Sequence, residues 1–263
     1  MTKEELAKHG EEIGVLQARS NKVVKHNDLV QKSRFSLSLV EQKTVNFLVS
    51  LIKPKLIPTD VQPLEYEFDI QAYCKICGID YDSGKNYKMV RDTLKSLRDK
   101  SMILTLPNGT ETSVSWVQKF WSNKGSGKAK IRFDEDIAPY LFELSDRTTR
   151  FELLNILPMK SKYAVRMYEI CRSWARLGSH TYTLDELRKM LMIEDGELIR
   201  YPDFRRYVLE ISQKEINENT DLNIEFEPLT KGRKVIQIRI HIKEKSSKEK
   251  QVIEFRVNDI LNN

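Results

Sequence analysis

Apolar residues along the chain repeat with two different periods, and the changes between them predict the order of the elements. In residues 38–51 and again in residues 161–174, apolar side chains recur every three or four positions, as they do on the buried face of a helix. In residues 222–226 and 236–242 they occupy every second position, which indicates strands with one buried face. The chain is therefore expected to combine helices and strands.

The two halves of the chain resemble each other when the sequence is shifted by 114 positions. At one end of the matching stretch Phe68 corresponds to Tyr182, and at the other end Met102 corresponds to Ile216. Apolar positions coincide without a gap over about 35 residues. Self-similarity at a fixed separation indicates a repeated structural unit.

Small polar residues mark the helix starts that the pattern predicts. Ser38 and Ser161 precede the first helix of each half, and Asp69 and Thr183 precede the second. Their side-chain oxygens can accept hydrogen bonds from the free N–H groups at a helix start. Gly78 follows the second helix of the first half, where a left-handed residue commonly ends a helix.

A third helix and a β-hairpin complete each half. The inner face of the third helix is predicted to comprise Val90, Leu94 and Leu97 in the first half and Phe204, Val208, Ile211 and Glu215 in the second. Glycine-containing turns at residues 107–109, 125–127 and 231–232 predict the hairpins. In a winged helix the third helix enters the major groove and the hairpin lies along the phosphates. The predicted fold is therefore α+β, with two tandem winged-helix domains related by an internal repeat.

The repeat also sets the domain boundaries. We place the first winged-helix domain at residues 27–145 and the second at residues 146–245, between an N-terminal tail at 1–26 and a C-terminal tail at 246–263. Apolar residues alternate at positions 253–257, so the C-terminal tail is expected to add a strand.

The composition is that of a soluble globular protein, with 40% hydrophobic and 31% charged residues among 263. Apolar runs are too short to span a bilayer, and the charged N-terminus predicts no signal peptide. Three cysteines argue against a disulfide framework and for the cytoplasm. The net charge of +6 favours a polyanionic partner.

The positive charge is concentrated in four blocks. Residues 85–100 and 122–133 each carry a net +4, residues 200–215 carry +1, and residues 229–245 carry +5. The remainder of the chain is therefore negative, at −8. The four blocks coincide with the third helix and the hairpin of each half, and this coincidence is the strongest sign of DNA binding in the sequence.

The predicted DNA contacts come from these elements. In the first half they are Lys85, Asn86, Lys88, Arg91 and Lys95 on the third helix and Lys124, Lys128 and Lys130 on the hairpin. In the second half they are Arg200, Arg205 and Arg206 on the third helix and Lys231, Arg233 and Lys234 on the hairpin. Arginine can bond guanine through two hydrogen bonds, whereas lysine serves better as a point charge for phosphate. Arg206 faces away from the predicted inner stripe, and the equivalent residue of the first half is Asp92. Guanine reading is therefore expected in the second domain.

Other kinds of site are less well supported. Cys74 and Cys77 have CxxC spacing, but a structural zinc site needs four ligands and the repeat does not preserve the pair. The glycine-rich turn at 125–127 departs from the phosphate-loop pattern at Ser122 and Ala129. No combination of residues indicates catalysis, so the sequence predicts a protein that is not an enzyme and has no metal or cofactor.

Four segments resemble the replication initiator (Rep) proteins of iteron-controlled plasmids. They are NDLVQ at 27–31, FSLSLVEQK at 35–43, the helix at 161–174 and YTLDEL at 182–187. The resemblance covers roughly residues 25–245 and includes the tandem winged-helix arrangement.

This resemblance implies a specific role. Such initiators bind directly repeated double-stranded DNA elements at a plasmid origin as monomers, help to open an adjacent AT-rich region, and assist loading of the host replicative helicase. The resemblance also implies a homodimer that is joined through the first domain and represses its own promoter, contact with the host replication initiator, and main base reading by the second domain.

Two alternatives remain open at the level of sequence. A winged-helix transcriptional repressor would differ only in the consequence of binding. An enzyme such as a nickase or primase belongs to another class, and a nickase would relax supercoiled plasmid. Directly repeated elements of about 20 base pairs beside the reading frame, roughly two helical turns, would favour the initiator.

Overall fold

The structure, a computed structural model, describes residues 3–52, 64–106, 108–123, 125–142 and 147–262, with side chains from residue 10 onward except that of Ser83. Helices of the first half are α1 (Lys3–Arg19), α2 (Asn27–Gln31), α3 (Leu39–Ser50), α4 (Ile70–Cys77), α5 (Ser83–Asp99) and α6 (Ala138–Phe142). Its strands are β1 (Lys22–His26), β2 (Ser33–Arg34), β3 (Glu65–Asp69), β4 (Ser101–Thr105), β5 (Glu111–Ser115), β6 (Val117–Asn123) and β7 (Lys128–Phe133).

The second half begins with β8 (Thr148–Glu152) and a short 3₁₀ turn at Leu153–Asn155. Its helices are α7 (Lys162–Trp174), extended by a 3₁₀ turn at Ala175–Leu177, then α8 (Leu184–Met190), α9 (Tyr201–Phe204) and α10 (Ile211–Asn219). Its remaining strands are β9 (Ser179–Thr183), β10 (Leu222–Lys231) and β11 (Lys234–Glu244), and α11 (Ser247–Asn262) follows them. A π-helical segment, Arg205–Glu210, joins α9 to α10. Together α9, this segment and α10 form the third helix of the second half.

The sheets confirm two winged helices with the same element order. In the first half the sheet order is β3-β7-β6, and in the second it is β10-β11-β9. In each half, a strand precedes the second helix and later pairs with the last strand of the hairpin. The hairpin of β6 and β7 thus corresponds to that of β10 and β11, while β4 and β5 form an additional hairpin that pairs with β2.

The strand and second helix of each half match in detail. Asp69 and Thr183 lie 114 positions apart and both cap a helix, each accepting a hydrogen bond from the third helical residue. Phe68 and Tyr182, the residues before them, are both buried. Gly78 ends α4 with a φ of +65°, a conformation that glycine adopts without strain. The predicted caps are confirmed.

The ungapped match fails further along the chain. Residues 78–82 connect the second and third helices of the first half, whereas the longer segment 191–200 does so in the second. Met102 consequently lies in strand β4, while Ile216 lies in helix α10. Both are buried, so their correspondence reflects burial and not equivalent position.

The buried face of the third helix of the second half also differs from the prediction. Val208, Ser212 and Ile216 are buried, whereas Ile211 is 37% exposed. The carboxylate of Glu215 accepts hydrogen bonds from backbone N–H groups before α7. The π-helical segment explains the shift, because its wider turn displaces every later residue around the helix axis relative to an ideal α-helix.

The segments predicted as tails are packed on the two domains. Strand β1 pairs with β8 from Lys22 opposite Glu152 to His26 opposite Thr148. The strand predicted within 246–263 is wrong, because residues 247–262 form α11. Only one of its apolar residues is fully buried, and Phe255 is 80% exposed, so the alternation does not mark a buried strand face. The boundaries at 27, 145 and 245 stay predictions.

A buried cluster of charges joins β1 to α7. The Nζ of Lys25 on β1 lies 2.7 Å from Oε1 of Glu169 on α7, and Nη1 of Arg166 lies 3.5 Å from Oε2 of the same carboxylate. Arg166 also donates a hydrogen bond of 2.8 Å to the carbonyl of Ser33. All three charged side chains are buried. Removing one partner of such a cluster leaves a charge that is both buried and less well compensated.

We expect Lys25→Met to lower the free energy of unfolding by about 3–5 kcal/mol, since Glu169 would keep its charge with Arg166 alone. The matched control is Lys22→Met on the same strand, β1, which breaks the exposed 2.6 Å pair with Glu152 on β8 and should cost less than about 1 kcal/mol. Urea denaturation of both variants provides the measurement. Equal losses would show that the buried cluster does not stabilise the junction.

Candidate nucleic-acid interface

The third helix of the first half, α5, presents its basic residues to solvent. Asp82 caps it by accepting hydrogen bonds from the N–H groups of Gly84 and Lys85. Its buried stripe is Val90, Leu94 and Leu97, as predicted. The four basic residues predicted to contact DNA, Lys85, Lys88, Arg91 and Lys95, are all exposed.

Asn86 is where the structure departs from the predicted contacts of this helix. Its side chain is buried, with only 3% exposed. The side-chain oxygen accepts a hydrogen bond from the N–H of Asp82, so Asn86 fixes the entry of the chain into the helix. Position near a helix start predicted its contact with a base, but the local hydrogen bond holds it inside the domain. We therefore withdraw Asn86 from the candidate contacts.

The first wing, formed by β6 and β7, is largely neutralised by its own sheet. Lys128 pairs with Glu67 at 2.9 Å, and Lys130 pairs with Glu65 at 2.5 Å. The antiparallel register of β3 and β7 places these acids beside the basic strand. The hydrogen bonds from the two lysines hold the pKa of both carboxyl groups below the usual range. Lys124, also predicted for this wing, lies outside the described residues.

The third helix of the second half carries three arginines that differ in whether an acidic residue pairs with them. Arg200 pairs with Asp203 at 2.8 Å, and Arg205 pairs with Glu210 at 2.9 Å. Arg206 is exposed and has no ion pair with any residue that the structure describes. Its guanidinium lies 5.5 Å from the ring centroid of Tyr207. Arg206 is thus the arginine of this helix that is most available to a ligand.

The tip of the second wing, defined here as Lys231, Arg233 and Lys234, is positive and uncompensated. All three residues are exposed, and none forms an ion pair with a described residue. Lys231 and Lys234 lie directly opposite each other across the hairpin, around Gly232 with a φ of +64°. Like charges in this arrangement repel each other, so an anion bound at the tip would relieve the repulsion.

Two exposed aromatic residues beside these cations were not among the predicted contacts. Trp121 on β6 is 37% exposed, and the Nζ atoms of Lys119 and Lys130 lie 4.9 and 5.1 Å from its ring. Tyr207 is 49% exposed beside Arg206. The sequence signal for Trp121 was its place opposite a lysine in an alternating hairpin, and that signal depends on knowing the register.

The cysteines and acidic residues in the described part of the chain do not converge on a metal site. Within the described ranges, no group of three or more histidine, cysteine or acidic side chains is arranged to hold a metal. All three cysteines are buried and unpaired. Burial raises the pKa of Cys74 to about 11 and of Cys77 to about 12, so both thiols stay protonated near neutral pH. Of the helices that the structure describes, none has the length and apolar character needed to cross a bilayer.

Two family models match the chain. The model described as "Initiator Replication protein, WH1" covers residues 22–172, and the model described as "Initiator Rep protein, WH2" covers residues 183–242. The chain belongs to the Rep3 family of initiator proteins. Its first matched segment ends within α7 and includes Lys25, Arg166 and Glu169.

Individual relatives of this Rep3 protein are distant. A replication initiation protein of Escherichia coli is 24% identical over 212 residues, covering 77% of this chain and 64% of the relative. The chain thus spans slightly less than two thirds of that protein's length. A crystal structure of Pi initiator protein in complex with iteron DNA has a TM-score of 0.67 and 18% identity, covering 87% of this chain and 99% of that one. This similarity shows the fold.

The two wings should differ in their contribution to binding. Replacing Lys231, Arg233 and Lys234 together by glutamine should reduce the magnitude of the negative slope of log K against log salt concentration by up to about 2.7, at roughly 0.9 per phosphate contact. Lys128→Gln with Lys130→Gln should lower it less, because each lysine already has an acidic partner. Fluorescence anisotropy on one duplex over a range of salt concentrations measures both. A larger effect from the first wing would contradict the interpretation.

Proposed function

We propose that this Rep3 protein initiates plasmid replication by binding directly repeated double-stranded DNA elements at the origin, without catalysing a reaction itself. The observation that carries the proposal is the uncompensated tip of the second wing, in a chain of this family with two winged helices. A hairpin tip of like charge is well suited to a polyanion. In a winged helix, this hairpin lies along the phosphates beside the reading helix.

The second domain is proposed to read most of the base sequence. Arg206 is exposed on the third helix without an acidic partner, so it can donate to the O6 and N7 atoms of guanine without losing an ion pair. Arg200 and Arg205 flank it but would have to give up their carboxylates. Arg206 lies between the buried Phe204 and Val208, and the residue in the same place between the buried Val90 and Leu94 is the exposed Asp92, whose carboxylate cannot make that contact.

The later steps follow from the family resemblance and remain proposals. Binding at the repeats would help to open a neighbouring AT-rich region and would assist loading of the replicative helicase, in contact with the host replication initiator. A homodimer joined through the first domain would repress the protein's own promoter. These steps place the protein in the cytoplasm, with no membrane partner.

Arg206→Ala should weaken binding to a duplex carrying the cognate repeat by about 1–3 kcal/mol, because a bidentate contact to a base is lost. Binding to a scrambled duplex should fall much less, since one charge is a small part of the total electrostatic contribution. Arg205→Ala is the matched control, because Arg205 is paired with Glu210. Titrations of both duplexes at one salt concentration decide the matter. Equal losses on the two would make Arg206 a phosphate contact.

The initiator role itself can be tested with the DNA that flanks the reading frame. We expect a plasmid carrying that DNA as its only origin to be maintained when the protein is supplied from a second, compatible plasmid, and to be lost when the triple wing-tip variant is supplied. Binding without maintenance would instead identify a transcriptional repressor. Relaxation of supercoiled plasmid by the purified protein would identify a nickase and overturn the proposal.

A further inference from the structure

Arg19, at the end of α1, makes an unusually complete set of contacts. Its side chain is buried, with 1% exposed, and all five of its N–H groups are within reach of acceptors. Nε donates to the carbonyl of Ile76 at 2.9 Å, Nη1 to the side-chain oxygens of Asn258 and Asn262 at 3.0 and 2.9 Å, and Nη2 to the carbonyls of Lys75 and Leu261 at 2.8 and 3.3 Å. One guanidinium therefore joins α1, α4 and α11.

The acceptors on α4 and α11 explain why a cation is placed there. The carbonyls of Lys75 and Ile76 belong to the last turn of α4, and that of Leu261 belongs to the last turn of α11. Carbonyl groups at a helix C-terminus have no partner within the helix and carry partial negative charge. Arg19 satisfies carbonyls of two helices at once, and this requires both helix ends to meet at the same point.

Packing reinforces this meeting point. Leu261 lies against Gly78, and a Cβ atom added to Gly78 would approach its Cδ2 to 2.8 Å. The salt bridge between Lys75 and Glu11 adds a second link from α4 to α1. The C-terminal end of α11 is therefore fixed on the first domain by close contact as well as by hydrogen bonds.

The chain around the start of α11 is fixed on the second domain. The Nζ of Lys245 donates to the carbonyls of Asn217 and Thr220 at 2.5 and 2.8 Å, at the C-terminal end of α10. Arg256, within α11, donates to the carbonyl of Glu218. Burial lowers the pKa of Lys245 to about 8. The segment from 245 to 262 thus connects the C-terminal end of α10, in the third helix of the second half, to the end of α4. Helix α4 directly precedes α5, the third helix of the first half.

We propose that α11 and Arg19 form a strut that sets the spacing and orientation of the two third helices on DNA, with Arg19 as the positioning residue. Both α1 and α11 lie outside the segments 22–172 and 183–242 that match the family models, so the strut is an addition to the two winged helices. The inference rests on the proposed binding of one DNA element by both domains. When two linked modules bind one ligand, their combined affinity depends on a geometry that allows simultaneous contact.

The strut can be tested first without DNA. Spin labels on Lys95→Cys and Lys214→Cys would report the separation of the third helices by pulsed electron paramagnetic resonance, because both sites are exposed and the native cysteines are buried. We expect a single narrow distance distribution in the otherwise unchanged protein and a broad one after Arg19→Ala or after Asn258→Ala with Asn262→Ala. Arg34→Ala, which breaks the pair with Glu111 within the first domain, should leave the distribution narrow.

DNA binding by the unlabelled variants gives the second measurement. On a duplex carrying one complete repeat, Arg19→Ala and the double asparagine variant should bind about tenfold or more weakly than the parent protein. On a duplex truncated to the part bound by the second domain they should bind equally well. Arg19→Lys should not restore binding to the complete repeat, since an ammonium has three donors instead of five.

Each result bears on one proposal. A narrow, unshifted distance distribution in the double asparagine variant would overturn the strut, and this variant decides if Arg19→Ala fails to fold, because Asn262 is exposed and Asn258 partly so. Equal losses on complete and truncated duplexes would also overturn it. If the parent protein bound no repeat, the proposed function would fail, while the distance distributions would still decide whether the strut exists.

Discussion

The buried carboxylate of Glu169 is the constraint on which the packing of α7 against β1 depends. Burial alone raises its pKa, but Lys25 and Arg166 together hold that pKa below the ordinary value. The carboxylate therefore keeps its charge. Since Lys25 comes from β1 and the other two come from α7, these two elements cannot separate without leaving an unpaired charge inside the protein. β1 also pairs with β8, the strand that precedes α7.

Much of the fold could be predicted because its signals are local. Caps such as Asp69 and Thr183 act within one helical turn, and the alternation in β10 and β11 needs no knowledge of distant residues. The errors arose where a local pattern was overruled. After the π-helical segment, Ile211 no longer faces the buried stripe. The expected C-terminal strand is instead the helix α11, whose end accepts hydrogen bonds from Arg19.

The candidate site was predictable in its location but not in its electrostatics. Counting charges favoured the third helix of the first half, at +4 against +1, and gave the two wings nearly equal charge, at +4 and +5. The register of β3 and β7 then shows that acids such as Glu65 and Glu67 neutralise the wing lysines, and no count along the chain contains that register. Asn86 failed for a related reason, because a side chain near a helix start can serve the backbone as readily as a ligand.

The uncompensated tip of the second wing has a consequence for the free protein. Without DNA, Lys231 and Lys234 repel each other across a two-stranded hairpin, and dissolved ions weaken that repulsion. Added salt therefore stabilises the free hairpin, while the same salt would weaken the proposed complex with DNA by reducing the gain from counterion release. Ionic strength would thus act on this one element with opposite signs in its two states.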